Sequence, residues 1–123
     1  MKQRPVYLSL TEFKFPLAAI ASILHRITGV VLFAGIAYLL YLLQLGLDSP
    51  AGFDEARRLI ALPLGKLVLW GVLAMLVYHV VAGVKHLVLD FGVGESLQGG
   101  YLGALLTIVV SVVLIAIVGV WLW

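Results

Sequence analysis

Two histidines, a glycine and an aspartate occur at helical spacing in the apolar stretch YHVVAGVKHLVLD, residues 78–90. His79, Gly83, His86 and Asp90 fall at i, i+4, i+7 and i+11, so they lie along one face of a helix, which we call the His79 stripe. Imidazole is a common axial ligand of haem iron, and a glycine one turn away leaves space for a flat macrocycle. From spacing alone, a hydrogen bond from His79 to a neighbouring helix explains this residue equally well.

A second polar group occurs in the apolar stretch AAIASILHRITGVV, residues 18–31. Ser22, Arg26 and Gly29 fall at i, i+4 and i+7, with His25 beside them at i+3; we call these four residues the Ser22 stripe. Ionisable side chains inside a membrane helix are costly to bury, so they indicate a functional site. On spacing alone, however, Arg26 is better explained by a side chain that extends to the membrane surface, and Ser22 by a hydrogen bond to its own helix.

The depths of the two histidines of the His79 stripe differ. His79 and His86 are seven residues apart, which is about 10 Å along the axis of a helix that rises about 1.5 Å per residue. With His86 near the lipid headgroups, His79 lies inside the hydrocarbon, where its imidazole needs a partner such as iron. Arg26, Lys85 and His86 would then be placed to contact the propionates of a haem, which need cations and hydrogen-bond donors.

Three long uncharged runs of the sequence can form the helices that position these stripes: 27–47, 67–84 and 96–123. A helix crosses the hydrocarbon core of a membrane with about 20 apolar residues, and long cationic side chains at its ends extend to the surface. An open sheet would leave backbone groups unpaired in lipid. The sequence therefore predicts an all-α integral membrane protein with one transmembrane domain over residues 1–123 and a short amphipathic segment at 53–60 in the first loop. The predicted membrane helices are 16–47, 64–90 and 99–123.

The cations flanking these helices predict the orientation of the chain. Five lie on the same side of the membrane as the N-terminus. Four of them come before or at the start of the first span, and Lys85 follows after two crossings: Lys2, Arg4, Lys14, Arg26 and Lys85. Three lie in the first loop: Arg57, Arg58 and Lys66. Because positive residues favour the cytoplasmic side, the N-terminus is predicted in the cytoplasm or mitochondrial matrix. The start of the first helix and the end of the second then share one side, so the two stripes are predicted to face each other.

The composition supports a membrane protein and excludes several other classes. The chain is 63% hydrophobic and 11% charged, whereas soluble domains are about a quarter charged. Its net charge of +2 comes from cations scattered between apolar runs, which does not indicate a nucleic-acid partner. The absence of cysteine excludes disulfides, thiolate metal sites, iron–sulfur ligation and a covalently attached c-type haem in this chain. The N-terminal residues lack the apolar core of a signal peptide.

The two stripes resemble motifs of the cytochrome b556 membrane-anchor subunits of succinate dehydrogenase. The resemblance extends over RPVYLSL, FPLAAIASILHRITGV and YHVVAGVKHLVLDFG. The family's first pattern, S-x-x-H-R-x-S/T-G, is matched by Ser22, His25, Arg26, Thr28 and Gly29. Its second pattern, H-x-x-x-G-x-R/K-H-x-x-x-D, is matched by His79, Gly83, Lys85, His86 and Asp90. Many relatives have arginine where this chain has Lys85, and lysine cannot form a bidentate fork with a carboxylate.

The resemblance implies a complex that oxidises succinate to fumarate and reduces ubiquinone in the tricarboxylic acid cycle. This chain would be a non-catalytic anchor for the flavoprotein and iron–sulfur subunits, in a bacterial or mitochondrial inner membrane. It would share a b-type haem with a second membrane-anchor subunit, and each anchor chain would supply one axial ligand. His79 is implied as the ligand from this chain, with His25, Arg26 and His86 near the haem propionates. Ser22 and Arg26 are implied to line the ubiquinone site.

Two alternatives stay open at this point. A fumarate reductase anchor would serve the same chemistry in reverse, with a quinol as electron donor. A haem-free structural anchor would use its polar stripes only to join helices.

Overall fold

The computed structural model describes residues 16–123, which form four helices and no strand. The helices are α1 (Leu17–Asp48), α2 (Pro50–Ala61), α3 (Pro63–Asp90) and α4 (Leu97–Leu122). The all-α fold and the three long predicted helices are confirmed, with ends within two residues of the predicted ones. The cations Lys2, Arg4 and Lys14 and the segment RPVYLSL lie outside the described residues, so the orientation of the chain stays a prediction.

Hydrogen-bonding caps explain where the structure extends beyond the predicted helices. The backbone N–H of Gly52 donates to the Ser49 hydroxyl at 3.0 Å, and Pro50 occupies the first helical position, so α2 begins before the predicted residue 53. The N–H of Gly99 donates to the Ser96 hydroxyl, also at 3.0 Å, so α4 begins two residues earlier than predicted. Each cap satisfies a backbone donor that the helix itself leaves free.

The three long helices are suited to a membrane by length and surface. The most apolar segments of α1, α3 and α4 have mean hydropathies of 2.2, 2.2 and 2.9. Large apolar side chains such as Phe33 and Val120 point outward, 88% and 82% exposed, which lipid tolerates and water does not. The protein is therefore a multi-pass membrane protein.

Small residues let the long helices approach one another. Ala21 in α1, Ala82 in α3 and Ala104 in α4 are at most 1% exposed, and α3 packs against both α1 and α4. Close backbone approach through small residues is how membrane helices gain packing energy without a hydrophobic driving force between them. The α1–α3 contact is the one that positions the two polar stripes.

Tryptophan side chains join the start of α3 to the end of α4, far from the loop between these two helices. The indole N–H of Trp70 donates to the Ile115 carbonyl at 3.1 Å, and the Trp70 ring meets the edge of Trp123 with centroids 6.3 Å apart. Lys66 Nζ lies 5.6 Å from the centroid of the Trp123 ring. An amphipathic ring with one hydrogen-bonding end suits the membrane–water boundary.

Outside the membrane-spanning helices, α2 carries an exposed ion pair. The Arg58 guanidinium donates two hydrogen bonds of 2.7 Å to the Glu55 carboxylate. These hydrogen bonds, and then the charge of Arg58, hold the pKa of the Glu55 carboxyl below its usual value. Gly52 and Ala56 form the buried side of α2, which packs on α1.

Candidate functional site

The three histidines of the chain form one cluster between α1 and α3. The His25 ring stacks on the His79 ring with centroids 4.2 Å apart and an angle of 22° between the planes. It also lies 4.9 Å from the His86 ring, at 40°. We call these three residues the histidine cluster. The prediction that the Ser22 and His79 stripes face each other is thereby confirmed.

Hydrogen bonds from α1 define the tautomer of His79. Its Nδ1 lies 3.1 Å from the His25 carbonyl oxygen and 3.1 Å from Thr28 Oγ1. A carbonyl oxygen only accepts hydrogen bonds, so we assign the ring proton to Nδ1 and the lone pair to Nε2. An imidazole held at one nitrogen by a carbonyl, with a lone pair on the other, is the arrangement of a metal-ligating histidine.

The glycine of each stripe admits a histidine of the other stripe. A Cβ atom at Gly29 would lie 3.0 Å from His79 Cε1, which is closer than ordinary packing allows. A Cβ atom at Gly83 would lie 3.7 Å from His25 Nε2. Gly83, which the sequence predicts to leave space for a macrocycle, therefore has the His25 ring as a neighbour. The close approach of α1 and α3 therefore depends on Gly29, whereas a Cβ at Gly83 would be in ordinary van der Waals contact.

Tyr78 provides a second contact between the same helices, one that sequence reasoning missed. Its buried hydroxyl donates to the Ala21 carbonyl oxygen at 2.8 Å. Ala21 and His25 are one turn apart, so the consecutive residues Tyr78 and His79 bind two successive carbonyls on one face of α1. The signal in the sequence is weak: a tyrosine inside a membrane helix needs a partner for its hydroxyl, but spacing does not identify a backbone carbonyl.

We expect Tyr78→Phe to lower the stability of the α1–α3 contact while the ring keeps its packing. Hydrogen bonds between membrane helices contribute about 0.6 kcal/mol on average and up to about 1.7 kcal/mol. Thermal unfolding of the purified complex in detergent should show a lower midpoint for this variant. Tyr41→Phe is the matched control, because Tyr41 is 54% exposed and should be indifferent to the change. An unchanged midpoint for Tyr78→Phe would show that the hydrogen bond from Tyr78 to Ala21 does not stabilise the α1–α3 contact.

The polar residues at the N-terminal end of α1 are accessible. Ser22 is half-buried and Arg26 is exposed. Within residues 16–123 the ion pair formed is between Arg58 and Glu55, so Arg26 has no carboxylate partner in that range. Both residues are in α1 with His25: Ser22 precedes His25 by three residues and Arg26 follows it directly.

Lys85 packs against α4. It follows His79 by six residues, about 120° around the helix at about 100° per residue. Its side chain runs along α4, with Cε 3.7 Å from the position of a Cβ at Gly103, beside an apolar cleft of about 380 Å³ between α3 and α4. Lys85 therefore packs on α4, and its grouping with Arg26 and His86 as neighbours of haem propionates stays a prediction. Asp90, at the end of the His79 stripe, is exposed.

The fold and this site define a three-span, all-α membrane protein that holds a histidine cluster between two adjacent spans. A family model described as the succinate dehydrogenase/fumarate reductase transmembrane subunit matches residues 1–118. The chain therefore belongs to this family.

Relatives in three organisms agree with the family. The chain is 42% identical over 123 residues to the succinate dehydrogenase cytochrome b556 subunit of Coxiella burnetii, with 98% of each chain covered. It is 38% identical over 111 residues to the subunit of the same name in Paracoccus denitrificans, covering 90% of this chain and 85% of the relative. The mitochondrial cytochrome b560 subunit of Sus scrofa is 33% identical over 125 residues, covering 92% and 70%.

Proposed function

We propose that this chain is the cytochrome b membrane-anchor subunit of a succinate:ubiquinone oxidoreductase. It attaches the flavoprotein and iron–sulfur subunits to the membrane and has no catalytic activity alone. The observation that carries the proposal is His79, whose Nδ1–H is held by α1 while Nε2 keeps its lone pair. Relatives named as cytochrome b556 subunits support the same conclusion.

The residues of the site fit a b-type haem. His79 would hold the haem iron through Nε2, and the partner anchor subunit would provide a second ligand. The partly buried rings of His25, stacked on His79, and His86, beside His25, offer donors to the propionates, as does the exposed guanidinium of Arg26. When bound, the haem accepts and releases single electrons; the protein contributes ligation, burial and hydrogen bonding, which tune the potential of that exchange.

The ubiquinone site uses the N-terminal end of α1. The Ser22 hydroxyl and the Arg26 guanidinium donate to the quinone oxygens, where negative charge develops during reduction. Apolar side chains on the same helix, Ile23 and Ile27, are 42% and 52% exposed and give the isoprenoid tail an apolar wall. Reduction at this place requires electrons from the iron–sulfur subunit, so that subunit docks on the same side of the membrane.

The proposed setting is a bacterial or mitochondrial inner membrane, with the N-terminus in the cytoplasm or matrix. The excess of cations on that side supports this orientation. A fumarate reductase anchor is the second candidate, because the family includes both enzymes. The three relatives compared above are all named for succinate dehydrogenase, which favours succinate oxidation.

Purification of the tagged chain from membranes in mild detergent tests this function. We expect a second small membrane chain, an iron–sulfur subunit and a flavoprotein to co-purify, with a reduced-minus-oxidised b-type absorption spectrum. The preparation should reduce ubiquinone with succinate faster than it reduces fumarate with a low-potential quinol; the reverse ratio would favour the fumarate reductase. A preparation with neither haem nor soluble redox subunits would contradict the proposal and favour a structural anchor.

A further inference from the structure

We propose that Thr28 is a positioning residue for the haem ligand. Its hydroxyl and the His25 carbonyl together hold the Nδ1–H of His79, and so keep the lone pair on Nε2 and raise the basicity of the imidazole. This inference rests on the proposed function, because it takes His79 as an iron ligand.

Only one assignment of donors and acceptors satisfies all the hydrogen bonds around Thr28. Thr28 Oγ1 donates its proton to the His25 carbonyl at 2.9 Å, so toward His79 it acts as an acceptor. The His25 carbonyl, 3.1 Å from the same Nδ1, is also an acceptor. Both oxygens are therefore satisfied by a proton on Nδ1, whereas the other tautomer would place its lone pair against that of the carbonyl. Thr28 is 5% exposed, so water does not compete freely for these contacts.

A second buried threonine identifies what is particular to Thr28. Thr107 in α4 is 3% exposed and donates to the carbonyl of Gly103 in its own helix at 2.8 Å, which is an ordinary arrangement for threonine in a membrane helix. Thr28 makes the equivalent bond to its own helix and also contacts a histidine from α3. Thr107 therefore shares the burial of Thr28 and its hydrogen bond within the helix, but it lacks a contact with His79.

The residue after Thr28 allows this contact. Because Gly29 has no side chain, the His79 ring can lie where a Cβ would be only 3.0 Å from Cε1. The ring is thus pressed against the backbone of α1 at the point where the Thr28 hydroxyl is available. The pair Thr28–Gly29 supplies one acceptor and the space to reach it.

The consequence is a lower haem potential. Acceptance of the Nδ1–H by an oxygen makes the imidazole a stronger donor to iron, which favours the oxidised form, and such outer partners affect metal retention about 10–100-fold. Loss of the Thr28 hydroxyl should leave the His25 carbonyl as the sole acceptor in this network. The haem potential should then rise and the haem should dissociate more readily.

The test compares the assembled complexes of Thr28→Val, Thr28→Ser and Thr107→Val with the unmodified complex. Spectroelectrochemical titration should show a positive shift of the haem midpoint potential for Thr28→Val. Transfer of haem to excess apomyoglobin should be about tenfold faster for that variant. Thr28→Ser, which retains the hydroxyl, and Thr107→Val, which disturbs a buried threonine elsewhere, should both match the unmodified complex. If Thr28→Val does not assemble, Thr28→Ala replaces it and is compared with Thr28→Ser.

An unchanged potential and haem transfer rate in the variants without the hydroxyl would overturn the role of Thr28. An equal shift in Thr107→Val would also overturn it, since the effect would then reflect general loosening of the bundle. A His79→Leu complex distinguishes this failure from failure of the proposed function. If its haem ligation is altered while Thr28→Val is indifferent, only the positioning role is lost; if its ligation is native, His79 is not the ligand and both proposals fall.

Discussion

The native low-spin haem spectrum is expected to disappear when His79 is replaced by leucine. Leucine has similar bulk but no lone pair, so it cannot ligate iron, whereas the other histidines of the cluster remain. The expected measurements are a changed reduced-minus-oxidised absorption spectrum and loss of the native low-spin signal in electron paramagnetic resonance. A native spectrum in His79→Leu would remove His79 from the role of ligand.

The stacking of His25 on His79 determines the controls for that experiment. With centroids 4.2 Å apart, His25 is the nearest imidazole that could take the place of His79. We therefore expect the double variant His25→Leu/His79→Leu to lose haem altogether, even if the single variant retains a haem with altered ligation. His86→Leu is the matched histidine control and should keep the native spectrum, because its ring is tilted at 4.9 Å from His25 and is assigned to the propionates.

Hydropathy and helical periodicity were sufficient to predict the helices and the meeting of the two stripes. Uncharged runs of membrane-spanning length define α1, α3 and α4, and helical spacing places His79 and His86 on one face. Because the chain crosses the membrane twice between them, the start of α1 and the end of α3 lie on the same side. The sequence also signals the early start of α2, because Ser49 followed by Pro50 is a typical helix beginning. The prediction relied on the apolar pattern, which begins only at Phe53.

The contacts within the site were not predictable in the same way, because they depend on how α1 and α3 are rotated and offset. Gly29 faces His79 while Gly83 faces His25, a crossed pairing that neither helix specifies alone. The partners of Tyr78 and His79 are backbone carbonyls, and every residue has one, so residue type gives no signal. Helix packing in the structure supplies this information.

Lys85 is a different case, since its position on another side of α3 from His79 follows from counting residues. Six residues after His79, it is about 120° from that residue around the helix. Lys85 and His86 are consecutive in the motif, but consecutive residues on a helix point in different directions, and Lys85 contacts α4. A motif identifies which residues belong to a family, whereas helical angle and the neighbouring helices decide what each of them contacts.

Replacing Arg26 with leucine is expected to reduce succinate-driven ubiquinone reduction about 100-fold while succinate oxidation with a soluble artificial acceptor is retained. Loss of one donor to an oxygen that becomes negatively charged costs about 10²–10³ in rate. Arg26 follows His25 directly in α1, is exposed, and has no carboxylate partner within residues 16–123. Arg26→Lys should retain part of the activity, because it keeps the charge without the planar fork.

The comparison of the two electron acceptors separates a quinone site from an assembly defect. Arg57→Leu is the matched control: Arg57 is also exposed, but it lies in α2, in the connection at the opposite end of α1. We expect this variant to keep both activities, and Ser22→Ala to lose quinone reduction to a smaller extent than Arg26→Leu. Equal loss of both activities in Arg26→Leu would mean that the iron–sulfur and flavoprotein subunits no longer dock correctly. Retention of both would show that Arg26 only extends to the membrane surface, which is the interpretation that helical spacing favours when Arg26 is considered alone.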